Sequence, residues 1–68
     1  MESLINFSYS RLKYGQFKVT YRSPKTGKEW TFITDNSHLI DAVFNTEEDE
    51  VKQKDLQYLK KACKQGHL

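Results

Sequence analysis

The stretch GQFKVTYRSPKTGKEWTFITD, residues 15–35, alternates apolar and polar side chains on either side of a short turn. The apolar positions of this alternation hold Phe17, Val19, Tyr21, Trp30 and Phe32, and Ile33 falls on the other face with Glu29 and Thr31. Alternation of period 2 around Pro and Gly is typical of two antiparallel strands with one apolar face and one polar face. The chain is therefore predicted to form a β-hairpin, with strands at residues 16–23 and 28–34.

The length of the turn determines which residues face each other across this hairpin. With Ser23 opposite Lys28, four residues form the loop between the strands. The facing pairs are then Arg22–Glu29, Tyr21–Trp30, Thr20–Thr31 and Val19–Phe32. This register brings opposite charges and two aromatic rings together, whereas a slip of one residue would mix the two faces. The sequence therefore predicts a loop at residues 24–27.

A third strand is predicted before the hairpin. Alternating apolar residues place it from Leu4 to about Leu12, and Gly15 in the following turn is free to adopt a positive φ. The apolar face of the resulting sheet is predicted to consist of Ile5, Phe7, Phe17, Val19, Tyr21, Trp30 and Phe32. This apolar face has to be buried against other parts of the chain.

Two helices after the sheet can cover this apolar face. Asp35, Asn36 and Ser37 are candidate N-caps of the first helix. Its apolar residues, at helical spacing, are Leu39, Ile40, Val43 and Phe44. The apolar stripe of the second helix comprises Leu56, Leu59, Ala62 and Cys63, widened by Tyr58. The prediction is one α+β domain over residues 1–68, a small two-layer fold with a three-stranded antiparallel β-meander covered on one face by two C-terminal helices (βββαα).

The start of the second helix has two interpretations. The acidic run at residues 47–50 can form its first turn, capped by Thr46, because carboxylates stabilise the positive end of a helix. The same run can instead be a loop, with the helix starting near Lys52. In both cases Gly66 is expected to end the helix as a C-cap.

Charge is distributed unevenly along the chain. The net charge of the 68 residues is +2, but residues 1–34 carry +4, residues 35–50 carry −6 and residues 51–68 carry +4. The start of the chain lacks the basic and apolar runs of a signal peptide, and no window has the apolar length of a membrane span. With one cysteine and no possible internal disulfide, the chain is predicted to be a cytoplasmic domain.

No catalytic or metal-binding motif stands out. Ser37, His38 and Asp41 have the residue types of a hydrolytic triad, but their spacing favours a helix cap with a surface histidine. His67 and the other possible metal ligands lack the short paired spacing of structural zinc sites. Cys63 is expected to be a core thiol, and we expect no enzyme activity, no cofactor and no metal.

The basic residues of the N-terminal half are the set that helix electrostatics does not explain. Clustered cationic donors along a strand pair are what phosphate contacts require. The alternative is a solvated sheet face whose lysines protect its edges from aggregation. The candidate nucleic-acid contacts, including two threonines for polar contacts, are Arg11, Lys13, Lys18, Thr20, Arg22, Lys25, Lys28 and Thr31.

About twenty residues carry a resemblance to a known family. The segments GQFKVTY at 15–21 and PKTGK at 24–28, followed by Trp30, resemble the hairpin of the arm-binding domains of phage-type integrases. Those domains lay a three-stranded sheet in the DNA major groove, so the resemblance implies DNA contact through the hairpin. The acidic residues 35–50 and the second helix depart from that pattern.

The predicted function is that of a non-enzymatic binding module that contacts nucleic acid through the exposed face and turn of the 16–34 hairpin. The alternative is a protein-interaction module, or a homodimer formed through the edge strand or through an exposed Ile33, with the acidic residues 47–50 contacting a basic partner. Neither a membrane nor a small-molecule substrate is expected as a partner.

Overall fold

A computed structural model describes residues 3–66. It contains a three-stranded antiparallel sheet in the order β1-β2-β3, followed by two helices. The elements are β1 (Phe7–Arg11), β2 (Phe17–Arg22), β3 (Glu29–Thr34), α1 (Ser37–Phe44) and α2 (Gln53–Gln65). The predicted βββαα order and the α+β class are confirmed.

The predicted register of the hairpin is also confirmed. Arg22 faces Glu29, Tyr21 faces Trp30, and the remaining pairs follow in step. The backbone N–H of Ser23 donates to the carbonyl of Lys28 over 2.8 Å, so the two residues close the four-residue loop. The alternation of the sequence therefore becomes two sheet faces. The inner face packs against α2, and the outer face points away from the helices.

The first strand begins later than predicted. Leu4–Asn6 forms a 3-10 turn, and Ile5, placed by its alternation on the inner face, is 84% exposed. The pairing of Phe7 with Tyr21 would put Ile5 opposite Ser23, whose backbone already closes the β2–β3 loop. With no strand left to pair with, the chain leaves the sheet before Phe7. Leu12 also lies outside the strand, beside a turn at Lys13–Gly15.

One of the three candidate caps begins α1. The Oδ1 of Asn36 accepts a hydrogen bond from the backbone N–H of Leu39 over 3.1 Å. This bond satisfies one of the N–H groups that the first helical turn leaves without a partner.

We expect Asn36→Ala to lower the free energy of unfolding by about 1 kcal/mol, because the Leu39 N–H then loses its acceptor. Asp35→Ala is the control, since Asp35 precedes the cap and is exposed. Urea unfolding of both variants measures the difference. Equal losses would contradict the assignment of Asn36 as the cap.

The acidic run lies outside α2. Glu48–Glu50 forms a separate 3-10 turn, and Lys52 is the N-cap residue of α2. The interpretation with the later helix start is therefore the one that the structure adopts. At the other end Gly66 is left-handed, with φ 69°, and its N–H donates to the carbonyls of Ala62 and Cys63, as expected of a C-cap glycine.

The core lies between the inner face of the sheet and the two helices. Its buried side chains are Phe7, Val19, Tyr21, Phe32, Ile40, Val43, Leu56, Leu59, Ala62 and Cys63. Phe17 and Trp30 are partly buried at its edges. Tyr58 does not widen the stripe of α2 as predicted and is 57% exposed, because its position on the helix lies beside the buried residues. No helix among residues 3–66 combines the length and apolar character needed to cross a membrane.

Candidate nucleic-acid interface

The outer face of the hairpin is a polar surface with two cations. Lys18 and Arg22 are both exposed there, and the threonine hydroxyls of Thr20 and Thr31 lie between them, 3.2 Å apart. Glu29 stands opposite Arg22, so one acid is part of the same face. Ile33, predicted to be exposed, is partly buried beside Lys18. This face can offer two cations and two hydroxyl groups to a ligand.

The β2–β3 loop is held by its own hydrogen bonds. The N–H of Gly27 donates to the carbonyl of Ser23 over 2.9 Å, and the Oγ of Ser23 accepts from the N–H groups of Lys25 and Thr26. Gly27 has a φ of 75°, a conformation in which other residues are strained. The loop therefore presents Lys25 from a backbone that is already ordered.

Lys28 lies on the other side of the sheet from Lys18 and Arg22. Its register opposite Ser23 puts it on the inner face, and its Nζ lies 5.2 Å from the centroid of the Trp30 ring. Trp30 stacks on Tyr21 with 5.8 Å between ring centroids and an interplanar angle of 20°. The predicted basic set is thus divided between two faces of the hairpin.

The C-terminal half of α2 adds two lysines at the same place. The Nζ of Lys64 lies 5.0 Å from the Trp30 ring centroid, and the Nζ of Lys60 lies 5.8 Å from that of Tyr21. Cations over aromatic faces are attracted by the ring quadrupole, so the stacked rings help to hold these side chains. We refer to Lys25, Lys28, Lys60 and Lys64 as the lysine cluster.

A cleft of about 430 Å³ lies within the lysine cluster. Its lining residues are Asn6, Tyr21, Ser23, Pro24, Lys25, Lys60 and Lys64. No carboxylate is among these described lining residues. The cleft therefore combines positive charge with hydroxyl and amide groups, which is the chemistry that recognises a phosphate oxygen.

Sequence reasoning missed Lys60 and Lys64 as candidate contacts. Near the C-terminus of a helix, lysines are explained by the helix dipole alone. A further signal was present, because Lys60 follows Leu59 and Lys64 follows Cys63 in the apolar stripe. Both lysines therefore border the same edge of the stripe, whereas Lys61 lies off it and is exposed.

Arg11 and Lys13 lie at the opposite end of the hairpin. Arg11 is the last residue of β1 and pairs with Phe17, and Lys13 belongs to the β1–β2 turn. The six residues of β2 separate this end from the β2–β3 loop by about 20 Å. The structure therefore does not join these two cations to the lysine cluster.

The residues considered for catalysis, redox chemistry and metal binding have other surroundings. Asp41 accepts a hydrogen bond from the amide of Asn45 over 2.8 Å. Cys63 is buried between helix and sheet with its Sγ 3.7 Å from the carbonyl oxygen of Val19. Burial raises the pKa of the Cys63 thiol to about 11. No group of three or more metal-ligating side chains forms within residues 3–66, and His67 lies outside them.

No family model, curated protein or solved structure matches this chain. A proposed function therefore rests on these residues and their arrangement.

Proposed function

We propose that this protein is a non-enzymatic module that binds nucleic acid through the lysine cluster, with the outer face of the hairpin as a second contact. One observation carries the proposal. Lys25 of the hairpin meets Lys60 and Lys64 of α2 around a cleft whose described lining contains no acid, and Lys28 shares the Trp30 ring with Lys64. Cationic side chains from distant parts of the sequence are thereby concentrated on one surface, as a polyanion requires.

The acidic run at residues 47–50 is not part of this surface. Glu48–Glu50 precedes α2, whereas Lys60 and Lys64 belong to its C-terminal half. At 1.5 Å per residue, Lys60 lies about 11 Å and Lys64 about 17 Å along α2 from its first residue, both at or beyond the Debye length of about 10 Å in 0.1 M salt. The positive and negative regions therefore act on a charged ligand as separate surfaces.

The chemistry of the cluster favours backbone contacts over reading of bases. Lysine ammonium groups act as point charges on phosphates and carry no sequence information by themselves. The rings of Tyr21 and Trp30 already stack on each other and lie beneath lysines, so they are not free to stack on bases. We therefore expect binding that depends weakly on sequence and strongly on salt.

The test is a fluorescence-anisotropy titration of labelled duplex and single-stranded DNA at several salt concentrations. Lys25→Ala combined with Lys64→Ala removes one cation from each element of the cluster. We expect this double variant to bind both probes more weakly. The slope of log K against log salt should become shallower by up to about two, because two phosphate contacts are lost.

The matched control is Lys54→Ala combined with Lys61→Ala. It removes the same charge from exposed positions of α2 outside the cluster. We expect its salt slope to remain close to that of the parent protein. Equal effects of the two double variants would contradict a localised interface. A parent protein without salt-dependent binding to either probe would contradict nucleic-acid binding altogether and favour the protein-interaction alternative.

A further inference from the structure

The tip of the β1–β2 hairpin holds an aromatic side chain in an unusual backbone conformation. Tyr14 has φ 64° and ψ 32°, in the left-handed region, and is the only non-glycine residue with a positive φ among residues 3–66. The tip is closed by the N–H of Leu12, which donates to the carbonyl of Gln16 over 2.8 Å. The hydrogen-bonded turn therefore fixes the position of Tyr14 at the tip.

No visible contact within the fold requires a tyrosine at this position. Left-handed backbone is costly for a bulky residue and is adopted more readily by Gly, Asn or Asp. The side chain of Tyr14 is 94% exposed, and it takes part in none of the ring–ring or cation–ring contacts found within residues 3–66. A strained residue without packing contacts is one whose side chain is a candidate for function.

The charged residues around Tyr14 indicate what kind of ligand its ring would contact. Arg11 and Lys13 are exposed on either side of it in sequence, and residues 3–28 contain no Asp or Glu. Asp35 lines a cleft with Gln16 and is an acid that the structure places at this end of the hairpin. An exposed aromatic ring between two cations is the arrangement that takes one base and the phosphates beside it.

The size of the apolar surface argues against a protein partner at this tip. Besides Tyr14, only Leu12 offers exposed apolar surface in the turn. A specific protein interface buries about 800 Å² on each partner, far more than two side chains can provide. A single stacked base needs only one ring.

We infer that Tyr14 stacks on an unpaired base of single-stranded nucleic acid, while Arg11 and Lys13 contact the flanking phosphates. This inference rests on the proposed function and adds a preference to it. The lysine cluster binds backbone of any kind, and the tip about 20 Å away along β2 distinguishes single strands from duplex. Duplex bases are already stacked and cannot accept the ring.

The test compares Tyr14→Asn and Tyr14→Phe with the parent protein. The probes are a 12-nucleotide oligo(dT) and a 12-base-pair duplex in the same low-salt buffer. We expect Tyr14→Asn to bind oligo(dT) about tenfold more weakly, since loss of one stacked base has an effect of this size. Its binding to duplex should change less than twofold. Tyr14→Phe keeps the ring and should bind both probes as the parent does.

Thermal unfolding provides a second measurement. Because Asn adopts left-handed backbone more easily, Tyr14→Asn should unfold at or above the temperature of the parent protein. A lower unfolding temperature would show that the ring supports the fold and would overturn the inference. Unchanged oligo(dT) binding would overturn it as well, while the salt-dependent effect of the lysine variants would leave the proposed function standing. Anionic lipid vesicles serve as a third probe. The inference also fails if Tyr14→Asn weakens binding to these vesicles but not to oligo(dT).

Discussion

Leu59→Ala is expected to leave the protein largely unfolded at 37 °C. Leu59 is fully buried at the centre of the apolar stripe of α2, between the helix and the sheet. Replacing a buried leucine with alanine lowers the free energy of unfolding by about 2–5 kcal/mol, because apolar burial is lost and a cavity remains. A 68-residue domain has a total stability of only about 3–10 kcal/mol, so this loss is about half of the available stability. Urea unfolding followed by circular dichroism measures the change.

The matched control is Tyr58→Ala on the same helix. Tyr58 is adjacent in sequence but exposed, so its replacement should change the free energy of unfolding by about 0.5 kcal/mol or less. Comparable losses from the two variants would show that α2 does not present Leu59 to the sheet.

High pH is expected to destabilise the fold through Cys63. Burial raises the pKa of its thiol from 9.0 to about 11. Between these values the unfolded chain releases the thiol proton and the folded chain keeps it, so the folded state binds more protons. The contribution of this thiol to the free energy of unfolding is therefore fully present below pH 9 and is lost as the pH rises through 11. The expected loss between pH 8 and pH 10.5 is about 2 kcal/mol.

The alkaline loss can be assigned to the thiol with Cys63→Ala. Every other ionisable group is present in both proteins, so its contribution cancels in the comparison. The variant should lose about 2 kcal/mol less than the parent between the two pH values. In the native parent at pH 8, an aromatic disulfide reagent should react with Cys63 far more slowly than after unfolding. Rapid native labelling would contradict both the burial of Cys63 and its raised pKa.

Much of the fold follows from local sequence patterns, such as alternation and loop length, that have a clear physical cause. Period-2 alternation and a four-residue loop determine the pairing of Arg22 with Glu29, because any slip would expose the core residues. The same pattern fails at Ile5, where alternation continues although the neighbouring strand has ended. Strand ends depend on whether a partner remains available, and periodicity contains no information about that.

The candidate site was less accessible to sequence reasoning. Lys18 and Lys28 are both hairpin cations, yet one belongs to the outer face and the other stands over Trp30. Their separation follows from the register and could have been derived from it. The meeting of Lys28 with Lys64 depends instead on how α2 crosses the sheet. That angle is set by packing of the whole core, which no local pattern specifies.

Under the proposed function, the lysine cluster makes folding and ligand binding parts of one equilibrium. Lys28 and Lys64 both place their ammonium groups over one ring, at most about 10 Å from each other and therefore within one Debye length in 0.1 M salt. In the unfolded chain these charges are free to separate, so folding works against their mutual repulsion. Counterions screen that repulsion, and the same counterions compete with a polyanion for the site. If the cluster binds nucleic acid as proposed, added salt would relieve this repulsion in the folded domain while it weakened binding, and a bound polyanion would stabilise the fold.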